Sequence, residues 1–334
     1  MKKIIAFLLT FAMALSLCSI TAMADQDTPT YVNFGDSISL GNIENDNNYP
    51  DYNREKDGWS PQLAKKLNAE WINYARRGMQ TTDILYMIDP VFQEQVDSGV
   101  LKPDSWHTNE YPPYDETSLE TVRSDLKDAD YVSLCIGSCD IISYPGELRT
   151  QAMERIPDKE ALKAELIGYL DAKKLDQETY YTLAKLITAY SAEAYITVKY
   201  ILDMVDGLAD YVKYYPQIVK CMRDAAPEAT IILIGNYIPL GTIPFLEETD
   251  TSGELIFCLN RLLDNINIVV KKAAAKYDCY YVDTMGIQSD WHPTVLGQTQ
   301  LCERVMSVLN GDPVYAGNVQ AIDAIMDGKL FKKQ

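Results

Sequence analysis

Short apolar runs recur along the chain, separated by longer stretches in which apolar residues fall three and four apart. The runs at 31–34, 70–74, 131–136, 230–234 and 279–282 are too short for helices, and all but the second are followed directly by Gly or Asp, so they read as strands. Between them the spacing turns helical. Ser60-Pro61 reads as a helix start, serine at the N-cap and proline in the first turn, with Leu63, Ala64 and Leu67 on one face. Further helices are predicted at 118–126, in at least three pieces between 157 and 225, and over 295–309. Thr251 and Glu254 suggest a capping box, after which Leu255, Leu259, Leu262, Ile266, Val269 and Ala273 trace one stripe. Residues 88–114, with Pro90, Pro103, Pro112 and Pro113, read as loop.

Strands that alternate with helices imply right-handed crossovers, a parallel sheet and helices on both of its faces. In such a sheet the strand C-terminal ends share one edge, where ligands bind. Four polar stations fall there: Ser37 after the first strand, Gly78 after the second, Cys139 and Asp140 after the third, and His292 beyond the fifth. The helical stretch between the third and fourth strands is rich in tyrosine: Tyr169, Tyr180, Tyr181, Tyr190, Tyr195, Tyr200, Tyr211, Tyr214 and Tyr215. An aromatic cap over a pocket would use them, but helix-spaced aromatics more often fill a helix-on-helix core, and that reading is preferred for most.

The ends of the chain change the picture. Residues 1–24 carry Lys2 and Lys3, an apolar run over 4–17 and Ala22-Met23-Ala24, the pattern of a secretory signal cleaved after about Ala24. The apolar run is shorter than the ~20 residues a membrane span needs. The expectation is an exported chain of 310 residues whose formal charge falls from −18 to −20 on cleavage. A surface that acidic disfavours nucleic acid and anionic membranes and suits neutral substrates. Six cysteines remain, at 135, 139, 221, 258, 279 and 302. They allow 15 full pairings, lack metal-ligand spacing and sit mostly in apolar segments, so structural or free thiols are favoured over a metal site.

The chain has two histidines. His107 sits in a Pro-rich acidic stretch that reads as a solvated loop. His292 sits in a turn before proline and a helix, beyond the sheet edge that also holds Ser37. A serine hydroxyl becomes a useful nucleophile when a base takes its proton, and imidazole suits that role near neutral pH. Developing charge on the attacked carbonyl then needs N–H donors, which the Ser37 and Gly78 amides can supply.

These residues resemble the SGNH or GDSL hydrolases, a family of lipases, esterases and acyl-carbohydrate esterases. Gly35-Asp36-Ser37-Ile38 is similar to the first block, Asn73-x-Ala75-x-x-Gly78 to the second, Gly137-Ser138-Cys139-Asp140 to the third and His292-Pro293-Thr294-x-x-Gly297 to the last. The blocks keep the family's order from about 31 to 309; an insertion at about 141–200 and an extension at about 310–334 fall outside it. The resemblance implies one flavodoxin-like α/β/α domain over 25–334, with a five-stranded parallel sheet and a helical insertion. It implies Ser37 as nucleophile, His292 as base, and an oxyanion hole from Ser37, Gly78 and the position of Cys139, with no cofactor or metal.

Two departures bear on the chemistry. Cys139 stands where the family has an asparagine, and a thiol is a weak donor, so either activity is low or Asn236 or another donor substitutes. The family's acid, three residues before the histidine, is Ser289 here; Asp290 is the next candidate, with Asp283 or a backbone carbonyl as alternatives. The expected function is a secreted esterase acting on a small-molecule ester, a short-chain acyl ester or an acetylated sugar. A protein that has lost catalysis and keeps an exported ligand-binding pocket is the alternative. Oligomeric state stays open.

Overall fold

A computed structural model describes residues 28–43, 49–101, 116–141, 159–173, 177–189, 192–236, 254–287 and 292–311. Five parallel strands form one sheet in the order β2-β1-β3-β4-β5, with β1 at Thr30–Gly35, β2 at Glu70–Asn73, β3 at Tyr131–Cys135, β4 at Thr230–Ile234 and β5 at Tyr280–Val282. This is the flavodoxin-like order of the SGNH fold, and the apolar runs at 31–34, 70–74, 131–136, 230–234 and 279–282 supply it. The chain leaves β1 toward β2 on one side and returns past it to β3 on the other. The crevice between β1 and β3, where Gly35 pairs with Cys135, is therefore the topological switch point.

Alternation along each strand sorts side chains onto two apolar layers. Val32 and Phe34, Val132 and Leu134, and Ile231 and Leu233 face one layer. There they meet α3 (Thr81–Ile88), α4 (Pro90–Asp97), α5 (Glu116–Lys127), α9 (Ala192–Ala225) and α10 (Glu254–Lys276). Tyr31, Cys135, Ile232, Ile234 and Val282 face the other, against α2 (Trp59–Leu67) and α11 (Val295–Leu309). The short α1 (Arg54–Asp57) precedes α2, α6 (Ser138–Ile141) follows β3, and α7 (Lys159–Ala172) and α8 (Gln177–Ala189) precede α9. Among the described residues no helix is long and apolar enough to cross a membrane.

Two local readings change. Helix α2 begins at Trp59 behind Gly58, so Ser60 lies inside the first turn; its hydroxyl donates to the Ser39 carbonyl at 3.4 Å rather than capping the helix. The stretch from 88 onward is not all loop. Asp89 caps α4, accepting from the Val91 N–H at 2.9 Å, and Pro90 occupies the first helical position, where its missing N–H costs nothing. The last helix runs over Val295–Leu309 as expected, capped by Thr294, whose hydroxyl accepts from the Gly297 N–H at 3.1 Å. Tyr211, Tyr214 and Tyr215 are buried in the helical layer, as the packing reading requires, whereas Tyr169 and Tyr181 are exposed. The side chains of Tyr190, Tyr195 and Tyr200, Thr251 of the expected capping box, and His107 lie outside the described residues. Cys135, Cys139, Cys221, Cys279 and Cys302 are unbridged.

Candidate active site

The turn after β1 is forced by close approach. Gly35 has φ +146°, and a Cβ there would lie 2.1 Å from the Cys135 carbonyl oxygen. The next N–H, of Asp36, donates to that same carbonyl at 3.2 Å. The chain then coils tightly: Leu40 N–H donates to the Asp36 carbonyl, Gly41 N–H to that of Ile38, and Asn42 N–H to that of Ser37. The Asp36 carboxylate sits inside this coil and accepts from the Ile38 N–H at 2.9 Å. Burial pushes its pKa up to about 7 against the pull of backbone N–H bonds, and among the described residues its Oδ2 has no hydrogen-bond partner.

Ser37 rises from this coil only 9% exposed. His292, in the turn before α11, brings Nε2 to 2.8 Å from Ser37 Oγ across 255 residues of sequence. An imidazole in that contact, with its other nitrogen protonated, can take the hydroxyl proton. Gly78 lies buried in the loop after β2 at φ +76°, a conformation that favours glycine. Among the described residues, neither the Ser37 nor the Gly78 N–H donates to a main-chain carbonyl, so both amides are free of turn bonding.

Cys139 sits in α6, half-buried. Burial, then the neighbouring Asp36, Asp140 and Asp83, push its thiol well above the ordinary range, so it stays protonated and keeps its S–H. Its carbonyl accepts from Gln80 Nε2 at 3.2 Å. The next residue, Asp140, accepts from the Thr81 N–H at 3.1 Å and the Thr81 hydroxyl at 2.6 Å. These bonds tie the loop after β3 to the one after β2. Burial pushes Asp140 up to about 7; the Thr81 bonds lower it, and Asp83 and Asp36 raise it further.

Asn236 does not supply a spare donor. Its amide nitrogen is committed to the Ile136 carbonyl at 2.9 Å and the Tyr211 hydroxyl at 3.2 Å, and its backbone is held by the Asn267 side chain, which accepts from the Asn236 N–H at 2.8 Å and donates to its carbonyl at 2.9 Å. The Asp283 carboxylate is engaged with the Met285 N–H at 2.7 Å and Lys271 at 3.9 Å. Ser289 and Asp290 lie outside the described residues.

A polar relay, of which the motif pattern contains only Asn73, underlies the two loops. Tyr31 and Ser133 hydroxyls meet at 2.7 Å, Ser133 Oγ donates to Asn33 Oδ1 at 2.7 Å, and Asn33 Nδ2 donates to Asn73 Oδ1 at 2.8 Å and to the Ser39 carbonyl at 3.1 Å. Asn73 Oδ1 also accepts from the Ala75 N–H at 3.0 Å. Asn33 is wholly buried with its donors and acceptor matched, and it links the coil bearing Ser37 to the loop leading to Gly78. The signal that finds it is an asparagine in the middle of a buried strand.

The GDSL-like lipase/acylhydrolase family matches the chain over residues 34–300. No curated protein sequence matches it. Similar solved structures include a phospholipase A1 from Streptomyces albidoflavus NA297, 17% identical, covering 85% of this chain and 99% of its own, with a TM-score of 0.42. An extracellular lipase from Streptomyces rimosus is 16% identical, covering 84% and 99% at TM-score 0.43. The lipase Lip_vut3 from a goat rumen metagenome is 13% identical, covering 87% and 100% at TM-score 0.42.

Proposed function

The chain belongs to the GDSL-like lipase/acylhydrolase family, and from that membership we propose that it is an exported serine esterase working through an acyl-enzyme on Ser37. The observation that carries the proposal is the 2.8 Å contact between Ser37 Oγ and His292 Nε2. In this reading His292 takes the Ser37 proton as Oγ attacks the ester carbonyl. The oxyanion is held by the Ser37 and Gly78 amides, with the neutral Cys139 thiol as a weak third donor. Collapse expels the alcohol, which receives its proton from His292. Water, deprotonated by the same imidazole, then releases the acid. Asp290 is the group assigned to hold the far nitrogen of His292. The formal charge of −18, with export taken from the signal pattern at residues 1–24, supports a small neutral ester, short-chain or an acetylated sugar, over nucleic acid or an anionic membrane. No cofactor or metal enters the proposed steps.

Hydrolysis of p-nitrophenyl acetate and p-nitrophenyl octanoate, beside Ser37→Ala, tests this. The wild type is expected to turn over the acetate, and the variant to lose at least roughly 10³-fold, as removal of a nucleophile does. Turnover that persists in Ser37→Ala refutes Ser37 as the nucleophile, and turnover absent in the wild type on both esters and on acetylated sugars refutes the esterase reading and leaves a ligand-binding role for the fold.

A further inference from the structure

Gln298 lies in α11, six residues beyond His292, and is wholly buried. Its Oε1 accepts from the Trp59 N–H and its Nε2 donates to the Asn42 carbonyl, both at 3.0 Å. Both partners lead straight to the nucleophile. The Asn42 N–H donates to the Ser37 carbonyl at 3.0 Å, and Trp59 Nε1 donates to the carbonyl of Ile38, the next residue, also at 3.0 Å. One amide therefore holds the coil that bears Ser37 at its far end, directly through Asn42, and beside the nucleophile, through Trp59 and Ile38, from the helix that follows the turn bearing His292.

Ser37 and His292 come from opposite ends of the chain, and the hydrogen bond between them is made at the reactive atoms themselves. Something else has to fix their separation when Oγ is carrying an acyl group and that bond is gone. A planar amide with one acceptor and one donor, both matched in a dry layer, fixes distance and direction together, because a displaced helix would leave two buried polar groups unpaired. Apolar packing of α11 on α2 tolerates sliding by comparison, since it has no preferred direction.

We propose that Gln298 is a positioning residue that sets the Ser37–His292 separation through Asn42 and Trp59. The proposal rests on the serine-esterase reading for its kinetic consequence, but its geometric consequence stands apart. Gln298→Met keeps the volume and removes both bonds. Leu301→Ala, wholly buried on the same helix, weakens α11 without touching the clamp. The first readout is the His292 imidazole titration by NMR, tractable in a chain with two histidines. Gln298→Met is expected to move it by at least about half a pH unit, because His292 loses its fixed partner geometry, and Leu301→Ala to leave it in place. The second readout is turnover of p-nitrophenyl acetate at a temperature where both variants are folded. Gln298→Met is expected to lower kcat about 10- to 100-fold with KM within about threefold, the signature of misplaced groups, and Leu301→Ala to keep kcat within about threefold.

An unmoved His292 titration with unchanged kcat in Gln298→Met overturns the proposal, as do equal losses in both variants. If Gln298→Met does not fold, Gln298→Glu keeps the acceptor for Trp59 and loses the donor to Asn42; normal kcat in that variant above its carboxyl pKa overturns it equally. Wild type that does not react at Ser37 with a fluorophosphonate, while Gln298→Met still shifts the His292 titration, refutes the esterase reading and keeps the clamp.

Discussion

Replacing Asp36 by asparagine should make stability less sensitive to pH, and the size of the change follows from the site. The carboxyl sits inside the coil that presents Ser37, buried, with its pKa pushed up to about 7 from an ordinary 3.8. Between those two values the folded chain holds a proton that the unfolded chain has released. Stability therefore falls as pH rises through that window and levels off above the folded value. The whole gap between about 7 and 3.8 corresponds to roughly 4 kcal/mol, of which about 2.5 kcal/mol is lost between pH 5 and pH 8. The substituted asparagine cannot titrate, yet its Oδ1 can still accept from the Ile38 N–H. Its Nδ2 would occupy the place of an oxygen without a partner among the described residues, at a cost that does not change with pH and so cancels. Urea unfolding of both proteins at pH 5 and pH 8 measures the difference. On going from pH 5 to pH 8, Asp36→Asn should gain about 2.5 kcal/mol relative to the wild type. A difference that stays within about 0.5 kcal/mol across the two pH values would refute the reasoning, because it would mean that Asp36 is no harder to ionise in the fold than out of it.

Two further substitutions bear on the chemistry. Cys139→Asn gives the oxyanion a stronger donor and should raise kcat for p-nitrophenyl acetate, by up to about 100-fold on the scale of one such donor; a fall would show that the thiol or its volume has a role of its own. Asp290→Ala should lower kcat by about 10²- to 10⁴-fold if that carboxylate holds the far nitrogen of His292, and unchanged turnover would move the assignment to a backbone carbonyl or another acid.

The central strands β1, β3 and β4 were legible because each is a short, nearly continuous buried run followed by glycine, the pattern of a parallel sheet covered on both faces, whereas the edge strand β2 is only half-buried and shows it less clearly. The turn at Gly35-Asp36-Ser37 and the histidine beyond β5 stand out for a different reason, their side-chain chemistry, and the structure brings Ser37 Oγ and His292 Nε2 to 2.8 Å. Helix α4 was hidden by Pro90, a residue that ends one helix and begins another with equal ease, and only the Asp89 cap tells the cases apart. Asn33 was swallowed by the apolar run 31–34, since its partners lie at Ser133 and Asn73 and no local spacing announces them. Gln298 is hidden more deeply, its acceptor bonding an N–H 239 residues away. Burial reveals such groups, because a buried amide has to be matched somewhere.

The two faces of the sheet should differ in the substitutions they tolerate. On the face toward α9 and α10, positions such as Val32, Leu134 and Leu233 belong to a hydrophobic cluster, and exchange among aliphatics there changes how firmly the protein holds together. On the face toward α2 and α11, Tyr31, Asn33 and Ser133 share the layer with Trp59, and the same strands carry the wiring that sets two loops against each other. Drift on the first face is buffered by any spare stability. On the second, even a change from one small polar residue to one of like size leaves buried partners unmatched, so it costs stability and loosens the two loops together. A lineage can thus repack half of this sheet freely while the other half stays nearly frozen, with adjacent residues of a single strand ageing at different rates.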